Sequence, residues 1–156
     1  MLLAIVIVLL IIIVLTIVLG YYLTRSTIID KAGGAWYLSA QIRIDPTTYG
    51  SVDQTFSFAN LGTPSAYVTF ASSENGMSNG KIVAKNETHM YPIVASSVMQ
   101  DSVYLVTPDT NWRIVPQSNG SAIMSLTSSR SSNVLNFIVY RSLGVAKANP
   151  TTTPLK

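Results

Sequence analysis

Two regions of the chain differ sharply in how apolar and polar residues follow one another. From Met1 to Leu19 the only residue that is not plainly apolar is Thr16, and the first charged residue is Arg25. An apolar run of more than about 18 residues is typical of a membrane-spanning helix. At 1.5 Å per residue, the stretch before Arg25 predicts a rod about 36 Å long. No polar stripe runs along this stretch, so we predict a helix that requires apolar surroundings on every side.

A pattern of short strands replaces the apolar run from Trp36 onward. Between Trp36 and Ile44 apolar residues alternate with polar ones, which is the period of a half-buried strand. Eight further β-rich runs follow, separated by turn signals that include Asn75-Gly76 and Asn79-Gly80: 54–59, 66–71, 81–84, 93–98, 103–107, 112–115, 122–127 and 134–141. Many short strands with frequent turns favour an antiparallel sandwich or barrel. We therefore expect an α+β chain in which a long apolar helix precedes an all-β, Ig-like antiparallel sandwich.

The same patterns divide the chain into three parts. Residues 1–32 are predicted to form the hydrophobic helix, residues 33–147 the β head, and residues 148–156, rich in Asn, Pro and Thr, an extended polar tail. Gly33 and Gly34 lie between rod and head, where their backbone freedom predicts a pivot.

Composition narrows the function. Charged residues make up 11% of the chain, against about 25% in an average globular protein. Although the formal net charge is +3, charge this sparse argues against a nucleic-acid partner, which requires clustered Lys and Arg. The chain has no cysteine and a single histidine, His89, so neither a disulfide framework nor a zinc site is expected.

No catalytic motif survives inspection. A Ser-His-Asp triad would have to use His89, but the Gly-x-Ser-x-Gly elbow is missing. The acidic residues are scattered singly near turns, and no Gly-rich phosphate loop or calcium loop is present. We expect no enzyme activity, no cofactor, no metal and no small-molecule substrate.

Three explanations compete for the apolar N-terminus. A cleavable secretory signal fits poorly, because no basic residue precedes the apolar run and bulky Tyr21 and Tyr22 follow it. A single-pass membrane anchor fits the length, with Arg25 and Lys31 at one boundary. The third explanation is a filament in which identical helices cover one another.

The layout of a wholly apolar helix followed by a β domain resembles that of archaeal type IV pilins, the subunits of adhesive pili. The start at Met1-Leu2-Leu3-Ala4-Ile5, without a basic leader, is similar to a pilin already processed by a prepilin peptidase. Bacterial type IV pilins carry a glutamate at the fifth mature position, whereas Ile5 matches the archaeal form. Archaellins, the subunits of swimming filaments, share this layout. The resemblance assigns to the filament core the following apolar residues: Leu2, Leu3, Ile5, Val6, Leu9, Leu10, Ile13, Val14, Ile17 and Leu19.

The head carries two acceptor sequences for N-linked glycans, at Asn86 and Asn119, both beside predicted turns. Asn149 is followed by Pro150 and does not qualify. Since N-glycans belong to secreted proteins, these sites favour an extracellular head.

Together these observations predict a structural subunit of an extracellular, type IV-like archaeal pilus. Its expected partners are other copies of itself, the membrane before assembly, the pilus assembly machinery and the prepilin peptidase. Surface adhesion is the expected use of the β head. The alternative is a single-pass, membrane-anchored extracellular binding module or minor pilin.

Overall fold

A computed structural model describes residues 2–43, 49–78 and 81–151. Helix α1 spans Leu2–Ala32, nine strands follow, and a short helix α2 spans Leu143–Ala148. The strands are β1 Gly34–Arg43, β2 Tyr49–Ala59, β3 Tyr67–Ser78, β4 Lys81–Pro92, β5 Ala95–Met99, β6 Ser102–Val106, β7 Thr110–Pro116, β8 Ser121–Ser128 and β9 Val134–Tyr140. The predicted α+β class, with an apolar N-terminal helix and an antiparallel β head, is confirmed.

All nine strands belong to one antiparallel sheet, in the order β4-β3-β2-β1-β9-β8-β7-β6-β5. Strands β1 to β4 form one meander and β5 to β9 another. The two meanders meet through a single residue pair between β1 and β9, Tyr37 opposite Tyr140. An Ig-like domain has Greek-key connections, so the connectivity of this head differs from the Ig-like one expected from sequence. The strand pattern indicated how many strands form, but it carried no information on which strands become neighbours.

The sheet folds back on itself as a sandwich does. Strands β2 and β7 are four positions apart in the sheet, which in a flat sheet would separate them by about 19 Å. Yet the ring centroids of Phe56 on β2 and Trp112 on β7 are 5.6 Å apart, and Phe58 also contacts Trp112 at 5.7 Å. The two meanders therefore pack their inner faces against each other.

The core between these faces follows the alternation seen in the sequence. On β2 every second side chain from Val52 to Phe58 is buried, and β1, β3, β6, β7, β8 and β9 also contribute buried side chains. No side chain of β5 is buried, and the described side chains of the edge strand β4, from Asn86 to Pro92, are exposed. The largest fully buried side chains are Trp36, Phe56, Leu38, Leu105, Ile114 and Met124. Ala32, the last residue of α1, is completely buried in the same cluster, and Ile28 packs against it. The head thus has a core of its own, closed at one end by the last turns of α1.

The strands β3 and β4 extend beyond their predicted limits. Asn75 and Gly76, predicted to form a turn, lie within β3 and pair with Ala84 and Val83 of β4. This turn prediction is wrong, because the polar run from Ser72 to Ser78 gains its pairing from β2 and β4 rather than from apolar burial. The second predicted turn, at Asn79 and Gly80, lies outside the described residues.

The last part of the predicted head contains a helix that the strand pattern did not predict. Helix α2 packs on β1 and β9, and its Ala146 is fully buried. Thr151 then pairs with β1 in parallel, donating its backbone N–H to the carbonyl of Ser39 and accepting from the N–H of Gln41. The segment up to Thr151 is therefore part of the head. Residues 152–156 lie outside the described part of the chain.

Candidate functional site

The dominant surface feature is the uncovered apolar helix. From Ile5 to Leu23 every large apolar side chain of α1 is between 44% and 66% exposed. Eight of the ten residues assigned to a filament core lie in this stretch, while the side chains of Leu2 and Leu3 lie outside the described part. One helix, Ile5–Ala32, is long and apolar enough to cross a membrane by length and composition.

The three threonine hydroxyls of α1 are bonded within the helix itself. Thr16 donates to the carbonyl of Ile12 at 2.8 Å, and Thr24 donates to that of Gly20 at 2.9 Å. Thr27 makes the equivalent bond to Leu23. A hydroxyl bonded to the carbonyl four residues earlier requires no external partner. These threonines are therefore compatible with an environment that offers no hydrogen-bonding groups.

The helix changes from apolar to polar between Leu23 and Arg25. Tyr21 and Tyr22 pack edge to face with ring centroids 5.9 Å apart, and Arg25 follows one turn later. The apolar segment from Ile5 to Thr24 has 20 residues, or about 30 Å of helix, close to the hydrocarbon thickness of a bilayer. Tyrosines at such a boundary are typical of a membrane interface.

The junction between α1 and the head is built from capping contacts. The indole N–H of Trp36 donates to the carbonyl of Ala32 at 2.8 Å. The Arg141 guanidinium donates to the carbonyls of Lys31 and Ala35 and stacks on the Trp36 ring, 3.6 Å from its centroid. The last carbonyls of a helix have no hydrogen-bond donor within the helix. Here the side chains of Trp36 and Arg141 act as their donors. Sequence reasoning missed Arg141, since it acts 110 residues away from Lys31.

The predicted pivot residues lie at this junction. Gly33 follows the last helical residue, and its N–H bonds to the carbonyl of Ile29 at 2.9 Å. Gly34 begins β1 with φ of +80°, the left-handed conformation that commonly ends a helix. That these two glycines act as a pivot stays a prediction.

The two sequons occupy different settings. Asn119 lies in the turn between β7 and β8, where its Oδ1 accepts bonds from the backbone N–H and the hydroxyl of Ser121. Asn86 lies within β4, an edge strand of the sheet, and not beside a turn as predicted. Both asparagines are exposed. Their glycosylation stays a prediction.

Residues considered for catalysis remain dispersed. His89 is exposed on β4, where its ring stacks on Tyr91 with centroids 6.3 Å apart. Among the described residues, no three His, Asp or Glu side chains come close enough together to hold a metal ion. The exposed helix is thus the feature that calls for a functional explanation.

Comparison of the chain with protein-family models, with curated proteins and with solved structures gives no match.

Proposed function

We propose that this protein is a structural subunit of an extracellular, type IV-like filament and that it polymerises through helix α1. The observation that carries the proposal is the exposure of apolar side chains all around α1 from Ile5 to Leu23, in a chain whose head already has its own core. Covering about 20 such side chains is worth roughly 30 kcal/mol or more. A surface of this size requires a permanent apolar environment.

The distribution of these side chains favours many neighbours over one. A dimer would cover a single face of the helix and leave the opposite face in water, whereas a bundle of parallel copies covers every face. A contact that repeats from copy to copy without closing into a ring produces a fibre. The intrahelical bonds of Thr16 and Thr24 satisfy both threonine hydroxyls of the segment in such a bundle.

Lipid is the proposed environment of the helix before assembly. Because the segment before Arg25 matches the bilayer thickness, the membrane stores the helix without loss of apolar burial. Transfer of the helix from lipid to a bundle gains little hydrophobic free energy. Helix packing and the assembly machinery therefore drive the helix from the membrane into the filament. Once outside, the reverse step would place the apolar side chains in water, which makes the polymer long-lived.

The β head forms the outer layer of the proposed filament, and adhesion to surfaces is its proposed use. Its core does not depend on the side chains from Ile5 to Leu23, so a subunit polymerises without refolding. The sequons at Asn86 and Asn119 are both exposed and accessible for modification.

Electron microscopy of the purified protein and two matched variants tests the proposal. We expect fibres from the parent chain and none from Ile11→Asp, because a carboxylate among packed helices has no partner. Asn111→Asp, which adds the same charge at an exposed head position, is expected to leave fibre formation intact. Solitary particles of the parent, each with α1 in detergent or lipid, would contradict the proposal and support a membrane-anchored binding module.

A further inference from the structure

Arg141 connects the end of β9 to the junction of α1 and β1, more than 100 residues earlier in the sequence. It follows the last residue of β9, and its guanidinium donates through Nη2 to the carbonyl of Lys31 in the last turn of α1. Through Nη1 it donates to the carbonyl of Ala35 on β1 at 3.1 Å. The plane of the guanidinium also covers the Trp36 ring, with Cζ 3.6 Å from the ring centroid. One side chain thus bonds helix and head simultaneously.

The backbone at the junction is shaped around this guanidinium. Gly34 has φ of +80°, and a Cβ added there would lie 3.1 Å from Nη1 of Arg141. Any other residue at this position would be strained and would also displace the arginine. The junction therefore combines Gly34, whose residue type allows many backbone conformations, with the Arg141 side chain bonded to the next residue, Ala35.

The Trp36 indole adds a further hydrogen bond to the end of α1, at the carbonyl of Ala32, and apolar contacts accompany these hydrogen bonds. Ala32 and Ile28 pack on the core through apolar surface, and apolar burial has no preferred direction. The hydrogen bonds of a planar guanidinium are directional, and they are stronger than those between neutral groups. Partial desolvation against Trp36 and the backbone lowers the pKa of Arg141, although the residue remains exposed. Apolar packing attaches the helix without a preferred direction, whereas the hydrogen bonds of Arg141 and Trp36 are directional.

We infer that Arg141 is a latch that holds α1 at one angle to the head, and that without it the junction at Gly33 and Gly34 becomes a pivot. The latch operates in the single chain, so the inference does not depend on polymerisation. In a filament or a membrane alike, it decides whether each head keeps one orientation relative to its own helix.

Distances between two spin labels measure this angle directly, and the absence of native cysteine allows labels at two introduced ones. Leu15→Cys on α1 and Ser97→Cys on β5 place both labels at exposed positions. Leu15 is 17 residues before Ala32, or about 26 Å along the helix, so a rotation of about 20° moves its label by about 9 Å. The measurement uses the full chain dispersed in detergent as single molecules.

We expect one narrow distance distribution for the double-cysteine parent and at least about a twofold broader one after Arg141→Ala. Arg141→Lys is expected to broaden it similarly, since an ammonium group neither stacks flat on Trp36 nor bridges two carbonyls as a fork does. Arg130→Ala removes an exposed arginine that pairs with Asp109 at 3.9 Å, and it should leave the distribution narrow.

Circular dichroism of each variant establishes that the head is folded. If Arg141→Ala unfolds the head, the comparison between Arg141→Lys and Arg130→Ala decides the question. Distributions for the Arg141 variants as narrow as the parent's would overturn the inference. A parent distribution already as broad as that of the variants would overturn it too. Neither result bears on whether fibres form, so failure of the latch and failure of the proposed function are distinguishable.

Discussion

The ammonium group of Lys147 lies 3.0 Å from Oδ2 of Asp53, and this ion pair ties the C-terminal helix α2 to strand β2. Asp53 also accepts a 2.7 Å hydrogen bond from the hydroxyl of Ser39 on β1. Thr151 extends the attachment by pairing with β1 through two backbone hydrogen bonds. The end of the chain therefore supports the sheet where β1 and β9 share only one residue pair.

Ala146→Asp tests how much this attachment contributes to stability. Ala146 is the fully buried residue of α2, so a carboxylate there loses its hydration without gaining a partner. We expect this to cost about 3 kcal/mol or more of folding free energy. Val145→Asp places the same charge one residue earlier on an exposed side chain, and we expect a change below about 0.5 kcal/mol. Urea unfolding followed by the fluorescence of Trp36 and Trp112 measures both. Equal midpoints for the two variants would show that α2 is not packed as described.

Truncation from the N-terminus is expected to act in two steps. A chain that begins at Thr24 loses the uncovered apolar segment but keeps Ile28 and Ala32 in the core, so it should be a soluble, folded monomer. A chain that begins at Gly33 loses both residues and the acceptor carbonyls for Trp36 and Arg141. We expect the second chain to be less stable by about 2–4 kcal/mol.

Light scattering after gel filtration and thermal unfolding measure these two effects. Association of the chain that begins at Thr24 into large particles would contradict the prediction, because it would place the polymerising surface on the head. Identical stability of the two chains would show that the last turns of α1 do not belong to the core.

Stability is expected to vary little between mildly acidic and neutral pH. The chain has seven acidic residues, and its ion pairs include Lys147 with Asp53 and the exposed Arg130 with Asp109. The Arg130–Asp109 pair is exposed and contributes about 0–1 kcal/mol. With charged residues at 11% of the chain, few interactions are available to make stability depend on pH. An unfolding free energy that fell by several kcal/mol over this range would contradict the expectation.

Arg141 does not make the free energy of unfolding depend on pH in that range. Folding lowers the pKa of Arg141 by desolvation, so the unfolded chain binds its proton more tightly. By linkage, stability then rises with pH only as the pH passes through the lowered pKa, in the alkaline range. Below that range both states are protonated, and the contribution is constant.

Glycosylation is predicted at Asn86 and Asn119. Mass spectrometry of the protein from its native cell should find both asparagines modified, with the mass of one glycan lost in Asn86→Gln and in Asn119→Gln. Asn149, which is followed by Pro150, serves as the internal control and should be unmodified. Unmodified peptides containing Asn86 and Asn119 would contradict the prediction.

Local patterns were sufficient to predict most elements of this structure. The alternation from Trp36 to Ile44 predicted β1, and the other eight β-rich runs each correspond to a strand. Strand-forming residue types between turn signals indicate a strand even where, as in the described part of β4, the side chains are exposed. Helix α2 was not predicted, since its six residues are too few to show a helical period and its burial depends on β1. The polar extension of β3 was missed for a related reason, because its pairing with β2 and β4 replaces apolar contacts.

The sequence by itself determined that the first part of α1 is apolar on every side and that a β head follows, because these properties depend on residue type and period alone. Only the tertiary structure decided which strands are neighbours, how the sheet folds so that Phe56 meets Trp112, and where the Arg141 guanidinium lies. These relationships join residues tens of positions apart, up to the 110 between Lys31 and Arg141. No local pattern encodes such a distance, since its energy comes from contacts that exist only after the chain has folded.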